Sequence, residues 1–324
     1  MPTGTGLDSQ VGYVVESAYG TGATVTRFLP LVSESITEEI DMVESTGIYA
    51  GAQLIRSVQW AQGNKTVGGD IQHEFYTQSA AQLVRLALGT VNTVTAGGTS
   101  VHTCWPVAGT LSATVQVGVP TVYGSVIPKT MTGGMIASWE LAAAQGANVT
   151  WGATWVGKEL TLGTALATAA YSTTMRPYRF QECALTIDGT IVQVSAFKVS
   201  GDMGYNDSRR FLGGTTISQP LRQQYVAITG EMEVEWGNDS YPVMGTLNYH
   251  RFRTGTEGTL AFGMTKAGGT ETAQITANIR YDGSTPTVDG PGIVPHTIPF
   301  KVITQGTLDS QAFSFVIQNN DSTA

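Results

Sequence analysis

Gly69-Asp70-Ile71-Gln72-His73-Glu74-Phe75 and Gly230-Glu231-Met232-Glu233-Val234-Glu235-Trp236 are two versions of one heptapeptide. Each opens on a glycine, alternates acidic or polar residues with apolar ones, and closes on an aromatic. Successive side chains of a β-strand point to opposite faces. Ile71, His73 and Phe75 therefore share one face, and Met232, Val234 and Trp236 share its counterpart. The opposite faces carry Asp70, Gln72 and Glu74, and Glu231, Glu233 and Glu235. Three glutamates in a row repel one another unless water screens them, so this face is expected to be wet. Either a β-module with an acidic face is duplicated, or a β-rich chain has produced two similar heptapeptides by chance. The sequence leaves both readings open.

The rest of the chain sets bounds on both. Its 324 residues suffice for one large domain or two ordinary ones, and 41% are apolar, enough for a sizeable core. Only 13% are charged, against about 25% in typical globular domains. Together with 39 glycines, this composition suggests many turns and broad surfaces buried by other copies, because subunit interfaces are depleted in charge at their centres. A neutral, Thr-rich monomeric sandwich has the same composition. The net charge of −8 argues against a protein that grips nucleic acid by its phosphates, which takes clustered Lys and Arg. It is compatible with a surface past which nucleic acid slides without sticking.

Along the chain, residues 1–26 read as a Gly- and Thr-rich arm, with Val11-Gly12-Tyr13-Val14-Val15 as a possible short strand. Residues 27–157 form a first β-module, 158–176 a joint, 177–317 a second β-module and 318–324 a loose tail. Ser33 to Trp60 is an acidic, glycine-punctuated segment that reads either as a solvated loop or as a long projecting hairpin touching a neighbour, with Leu54 to Trp60 as its return arm. Thr77 is a candidate N-cap for a helix near 78–88, with Ala80, Leu83, Val84 and Leu86 to Leu88 as its apolar stripe and Gly89 as its stop. Residues 90–110 read as loop. Ile136 to Leu141 and Asn148 to Trp155 form a hairpin through Gln145-Gly146. Asp188-Gly189 turns a second hairpin. The partner of the first helix in the second half, Tyr241 to Tyr249, is expected to be less helical, because Pro242 and Gly245 interrupt it.

Catalytic chemistry is not visible. The four histidines have no second His or Cys at metal spacing, and His73 on its apolar face reads as a core residue. Cys104 and Cys183 match no metal or redox motif and read as reduced and structural. No nucleophile elbow, P-loop or dinucleotide fingerprint occurs. No catalytic, cofactor or metal residue is assigned. The acids between Glu34 and Glu44 could pair as in a glycosidase, but a solvated or interface loop fits them better. No basic, apolar leader and no stretch near the ~18 apolar residues of a membrane span is present, so synthesis in a cytoplasm is expected.

Several segments, in order, resemble the tail-tube (major tail) proteins of long, non-contractile-tailed bacteriophages. They are Gly6-Leu7-Asp8-Ser9-Gln10-Val11-Gly12 with Val15-Glu16-Ser17-Ala18-Tyr19-Gly20-Thr21; Arg27-Phe28-Leu29-Pro30 followed by Ser33-Glu34-Ser35; Arg56 ahead of Gly68-Gly69-Asp70-Ile71; Gln145-Gly146 to Trp155-Val156-Gly157; and Arg210-Phe211-Leu212-Gly213. The resemblance runs over most of the chain. It implies a mainly β fold, a tail-tube-type sandwich or barrel module with a flanking helix, whose subunits form rings around a channel. Stacked rings make the tube that conducts the genome. Single-module relatives tend to form hexamers, and duplicated ones trimers with pseudo-sixfold symmetry. The implied partners are other copies of the chain, a tape-measure protein and tail-end proteins. DNA would transit without specific binding, no cofactor is implied, and the location is the virion tail, after synthesis in a host bacterium.

On that reading Asp70, Glu74, Glu231, Glu233 and Glu235 are candidates to face the lumen. Glu38, Glu39, Asp41, Glu44, Arg56, Arg209 and Arg210 are candidates for contacts between subunits or rings, with the arginines opposite the acids. Two other readings compete. One is a β-sandwich adhesin or carbohydrate-binding module, which needs an exposed aromatic platform. The other is a β-rich hydrolase using Glu38 and Asp41.

Overall fold

The computed structural model describes residues 4–107, 109, 111–236, 245–283, 285–288, 290–306 and 309–324. In the first half the strands are β1 (Gln10–Val15), β2 (Arg27–Leu29), β3 (Ser33–Glu34), β4 (Thr37–Glu44) and β5 (Trp60–Glu74). Helix α1 (Ala80–Leu88) follows, then β6 (Asn92–Ala96), β7 (Thr99–Cys104), β8 (Ala113–Pro120), β9 (Val126–Ala144), β10 (Thr150–Gly157) and β11 (Glu159–Thr161). The second half has β12 (Cys183–Ile187), β13 (Thr190–Val192), β14 (Ala196–Asp202), β15 (Tyr205–Asn206), β16 (Leu221–Arg222) and β17 (Ala227–Glu235). Helix α2 (Gly245–Thr254), β18 (Gly258–Thr265), β19 (Thr272–Tyr281), β20 (Pro295–Val302), α3 (Asp309–Ala312) and β21 (Phe313–Asn319) complete it.

The two halves repeat one pattern of antiparallel pairing. In the first, β1 pairs with β2 and β8, β5 with β4 and β10, and β9 with β8 and β10. In the second, β12 pairs with β13 and β18, β17 with β14 and β20, and β19 with β18 and β20. Each acidic heptapeptide lies in the third connection of this pattern, on β5 and on β17, and a helix follows each. Pairing, unlike a heptapeptide, is a long-range property of the whole half, and the two halves share it. Two expectations change with it. The segment expected to be an N-terminal arm contains β1, whose Val11 and Tyr13 are buried, so it is an integral strand of the first copy. Gly245 is itself helical, in α2; residues 241–244, Pro242 among them, lie outside the described residues.

A front sheet runs in the order β4–β5–β10–β9–β14–β17–β20, and the β9–β14 pair joins the two copies. Two sheets cover its inner face. One is β2–β1–β8–β9–β11, the other β13–β12–β18–β19–β21–β7–β6. Strand β9 serves both layers: its first half pairs β8, its second half β10. Gly133, at φ +64°, marks the change. The buried carboxylate of Glu16 accepts there from Gly133 N (2.9 Å), Thr114 Oγ1 (2.9 Å), Ser112 Oγ (2.7 Å) and Gly20 N (2.9 Å), which satisfies the charge that burial would otherwise penalise.

One apolar core spans both copies. Trp139 and Trp151 stack at 5.2 Å between centroids, Phe75 meets Phe315 at 5.6 Å, and Phe197 meets Phe262 at 4.2 Å. Such pairs contribute about 0.5–1.5 kcal/mol each beyond area burial. Helix α1 packs on β9 and β7 with nearly every side chain buried. Its N-cap is Ser79, in the left-handed region at φ +64°, and not Thr77, whose N–H instead donates to Arg176 O at 2.9 Å. Gly89 ends it at φ +95° as expected.

The repeated glycine has one physical reason in both copies. A Cβ on Gly69 would lie 2.3 Å from the carbonyl oxygen of Ser35, and a Cβ on Gly230 would lie 2.4 Å from that of Lys198. Ser35 faces Asp70 as Lys198 faces Glu231, so the crowded carbonyls are counterparts.

The Asp188-Gly189 turn joins β12 to β13 with both residues at positive φ (50° and 77°), and Gly146 (φ +77°) lies in the β9–β10 turn. Residues 90–110 are not simply loop: β6 and β7 form a hairpin there, turned by Gly97 and Gly98 at φ +61° and +83°. Nor is the C-terminal tail loose. Asp321 accepts from Arg27 Nη1 (3.2 Å) and Ser79 N (2.6 Å), and Arg85 Nη1 donates to Ala324 O at 2.7 Å.

Candidate functional surfaces

The outer face of the front sheet is set by register. One row across the strands reads Asp70, Thr154, Ser138, Asp202, Ala227; the next reads Gln72, Gly152, Glu140, Ser200, Thr229, Lys301; the third reads Glu74, Thr150, Ala142, Lys198, Glu231, Pro299. Glu233 and Glu235 continue this face along β17, and Glu39 extends it onto β4 opposite Thr66. Small Gly, Ala, Ser and Thr side chains thus alternate with carboxylates, and Lys198 and Lys301 are the cations in these rows. The face is concave: a trough of about 810 Å³ lies over it, floored by Asp70, Gln72, Glu140, Thr154, Ser200 and Asp202.

All five acids singled out from the heptapeptides therefore lie on one surface, although they come from opposite ends of the chain. Asp70 Oδ1 accepts from Thr154 Oγ1 at 2.7 Å, and Glu74 Oε1 accepts from Asn148 Nδ2 at 2.7 Å. The inward residues Ile71, His73, Phe75, Met232 and Val234 are buried, as the alternation requires. Glu140 and Asp202 belong to the same face and were missed. Their alternation was present in Ser138-Trp139-Glu140-Leu141 and in Val199-Ser200-Gly201-Asp202, but small residues dilute it.

The interface candidates separate. Glu39, Asp41 and Glu44 are exposed on β4, with Asp41 at a β-bulge between Ile40 and Met42. Glu38 turns inward to Lys65 at 3.8 Å, so it does not share a site with Asp41 as a hydrolase would require. Arg56 lies over the Tyr49 ring at 4.4 Å within the hairpin tip. Arg209 Nη1 donates to Gln219 O at 2.6 Å, and Arg210 Nη2 to Lys65 O at 3.0 Å and Thr66 Oγ1 at 2.9 Å. Within the chain no arginine of the three meets the acids at 38–44; they brace loops. β4 and β5 pair as a hairpin, whose return arm begins at Trp60, after a short 3-10 turn over Ser57–Gln59.

Three histidines are buried: His296 meets the Trp236 ring edge-on at 5.3 Å, and His73 and His102 have polar contacts. His73 Nδ1 lies 2.7 Å from Pro30 O and Nε2 2.5 Å from Tyr13 Oη, and burial lowers its pKa to about 4. His102 contacts Thr93 Oγ1 and Asn319 Oδ1. Burial pushes both the Cys104 and Cys183 thiols up to about 12, which leaves little reactive thiolate. Among the described residues no group of three or more His, Cys, Asp or Glu is placed to hold a metal ion, and no helix is long and apolar enough to cross a membrane. Of the six tryptophans only Trp60 is exposed, so they form no aromatic platform for a carbohydrate.

The fold is mainly β, and one face of its front sheet is rich in carboxylates. The family model for phage tail tube proteins matches residues 6–302. The chain belongs to the phage tail tube protein family. No curated protein matches the sequence. As a tail tube protein it is a structural component of the virion tail, and membership implies self-association into a tube.

Proposed function

We propose that the chain closes into rings through the free edges of its front sheet, that the rings stack, and that the concave acidic face lines the channel through which the genome passes. One observation carries this reading: Asp70, Glu74, Glu231, Glu233 and Glu235, with Glu140 and Asp202, share one face of one continuous sheet, and a trough lies over Asp70, Glu140 and Asp202. Phosphate-rich DNA moving past such a face meets like charge and small side chains, and finds no basic cluster to arrest it.

The sheet's edges support ring closure. β4 has a strand on one side only, and β20 pairs with β19 only from Phe300 to Val302, leaving Pro295 to Ile298 open among the described residues. Pairing the two edges between subunits removes exposed strand edges that otherwise aggregate. With two copies per chain, three subunits would give a pseudo-sixfold barrel. A tape-measure protein in the channel and tail-end proteins at its ends complete the assembly, made in a host bacterium.

The test is electron microscopy of the concentrated protein with helical reconstruction. Tubes are expected with Glu231, Glu233 and Glu235 on the inner wall. The same side chains on the outer wall would overturn the lumen assignment.

A further inference from the structure

The internal seam between the copies shows how one copy's hairpin tip is received by the other. In the second copy the β14–β17 hairpin continues through β15–β16 and ends in a tip spanning residues 207–220. That tip folds back on the first copy. Lys65 N donates to Thr215 O at 2.8 Å, Arg210 reaches Lys65 O and Thr66 Oγ1, and Ile217 is buried beside Tyr19 and Lys158.

The counterpart of this tip in the first copy is the end of the β4–β5 hairpin, residues 45–59. It is undocked: Ile48 is 97% exposed, Leu54 85% and Val58 78%. Its receiving surface can be located by register. Counting from the paired glycines, Lys65 and Thr66 correspond to Val226 and Ala227. Counting from Glu74–Thr150 and Glu235–Pro295, Lys158 corresponds to Ile303. Val226 and Ile303 both line an apolar groove of about 600 Å³, with Leu221, Tyr225, Val302 and Phe313. Tyr225 stands 98% exposed at its mouth. The position that receives a tip in the first copy is thus an empty apolar groove in the second.

We infer that residues 45–59 of one subunit dock in this groove of the neighbouring subunit of the same ring, as residues 207–220 dock across the internal seam. The inference rests on the ring reading and adds the contact that fixes its seam. Ile48, Leu54 and Val58 would leave water for Val226, Val302 and Ile303, which gives exposed apolar side chains at a hairpin tip a partner of matching chemistry. The tip of the second copy, residues 207–220, needs no such partner, because it is already seated on the first copy.

Cysteine cross-linking tests it. Leu54→Cys and Ile303→Cys are combined with Cys183→Ser; Cys104 is buried. Oxidised tubes of the double variant are expected to give covalent oligomers on a denaturing non-reducing gel. The series should stop at the subunit number counted from the ring's rotational symmetry, and neither single variant nor unassembled protein should give it. Three results would overturn the inference: tubes that do not cross-link, a ladder running past the ring number (a contact between rings), or a bond formed inside one monomer. A second variant, Leu54→Asp, is expected to cut tube yield at least tenfold while the monomer's melting temperature is unchanged; unchanged yield also overturns it. If the unmodified chain forms neither rings nor tubes, the ring reading itself fails and takes this contact with it.

Discussion

Lys198 on β14 donates to Glu140 on β9 at 2.8 Å, an ion pair that crosses the seam between the two copies on the acidic face. Both side chains are over 40% exposed (42% and 46%), so the pair contributes little to stability, about 0–1 kcal/mol. Its consequence is electrostatic, since Lys198 is the cation nearest the middle of the face. Lys198→Met is expected to shift the urea midpoint by less than about 1 kcal/mol equivalent while leaving assembly intact. A loss of several kcal/mol would show that the seam depends on the pair.

Replacing glutamates 231, 233 and 235 by lysine tests the proposed channel. The variant is expected to fold, because all three lie on the water-facing side of β17. DNA transit should slow at least ~tenfold, because attraction replaces repulsion along the path. The check is genome release from particles carrying the variant, timed at low and high salt. High salt should restore the rate.

Both repeated glycines should be intolerant, Gly69 the more so. Gly69→Ala and Gly230→Ala each drive a methyl group into a neighbouring carbonyl, and Gly69 also holds φ +148°, which strains any side chain; each is expected to cost about 1–3 kcal/mol. Denaturant unfolding of the two single variants checks this, with the larger loss expected at position 69.

His73 predicts a pH dependence whose sign follows from its environment. Burial holds its folded pKa near 4, below the unfolded value of about 6.5. Stability tied to the neutral ring is therefore complete above pH 6.5 and lost as pH falls toward 4, by roughly 3 kcal/mol at 1.36 kcal/mol per unit. Nδ1–H donates to Pro30 O, which leaves Nε2 to accept from Tyr13 Oη. Unfolding measured from pH 7 to pH 4 should show this slope, and His73→Gln should lack it.

Glu182 acts further into acid. Arg176 donates to its two oxygens at 2.8 and 2.6 Å and holds its pKa down to about 2. A depressed carboxylate contributes above its unfolded pKa near 4.5 and loses that contribution as pH falls to 2. Glu182→Gln is expected to cost about 1.5–3 kcal/mol at neutral pH and to flatten the acid limb of the stability curve between pH 4.5 and 2.

The acidic face was half legible in the sequence. Asp70 to Phe75 and Glu231 to Trp236 declare their alternation because large apolar and charged residues sit side by side. Glu140 and Asp202 are on the same face, but Ser, Ala and Gly surround them and the period fades. The helix at 80–88 was clear from its stripe, while its cap was not: Ser79 is fixed by Asp321, far along the chain. The β6–β7 hairpin read as loop because its buried residues, Ser100, His102 and Cys104, are polar or small and become core only against β21. The shared pairing pattern of the halves was not legible at all, since strand partners are chosen over long separations that local composition does not encode.

The intrachain β9–β14 seam would also change how the proposed ring assembles. The β9–β14 seam forms when the polypeptide folds, at a rate independent of protein concentration, because both sides are tethered. In a ring built through the open edges of β4 and β20, every second seam is of this kind. Only the remaining seams depend on encounter between molecules, so fewer bimolecular steps separate a free subunit from a closed ring. The tether also allows the two copies to diverge: one hairpin tip is seated on its own chain, and the other is left exposed at the opposite edge.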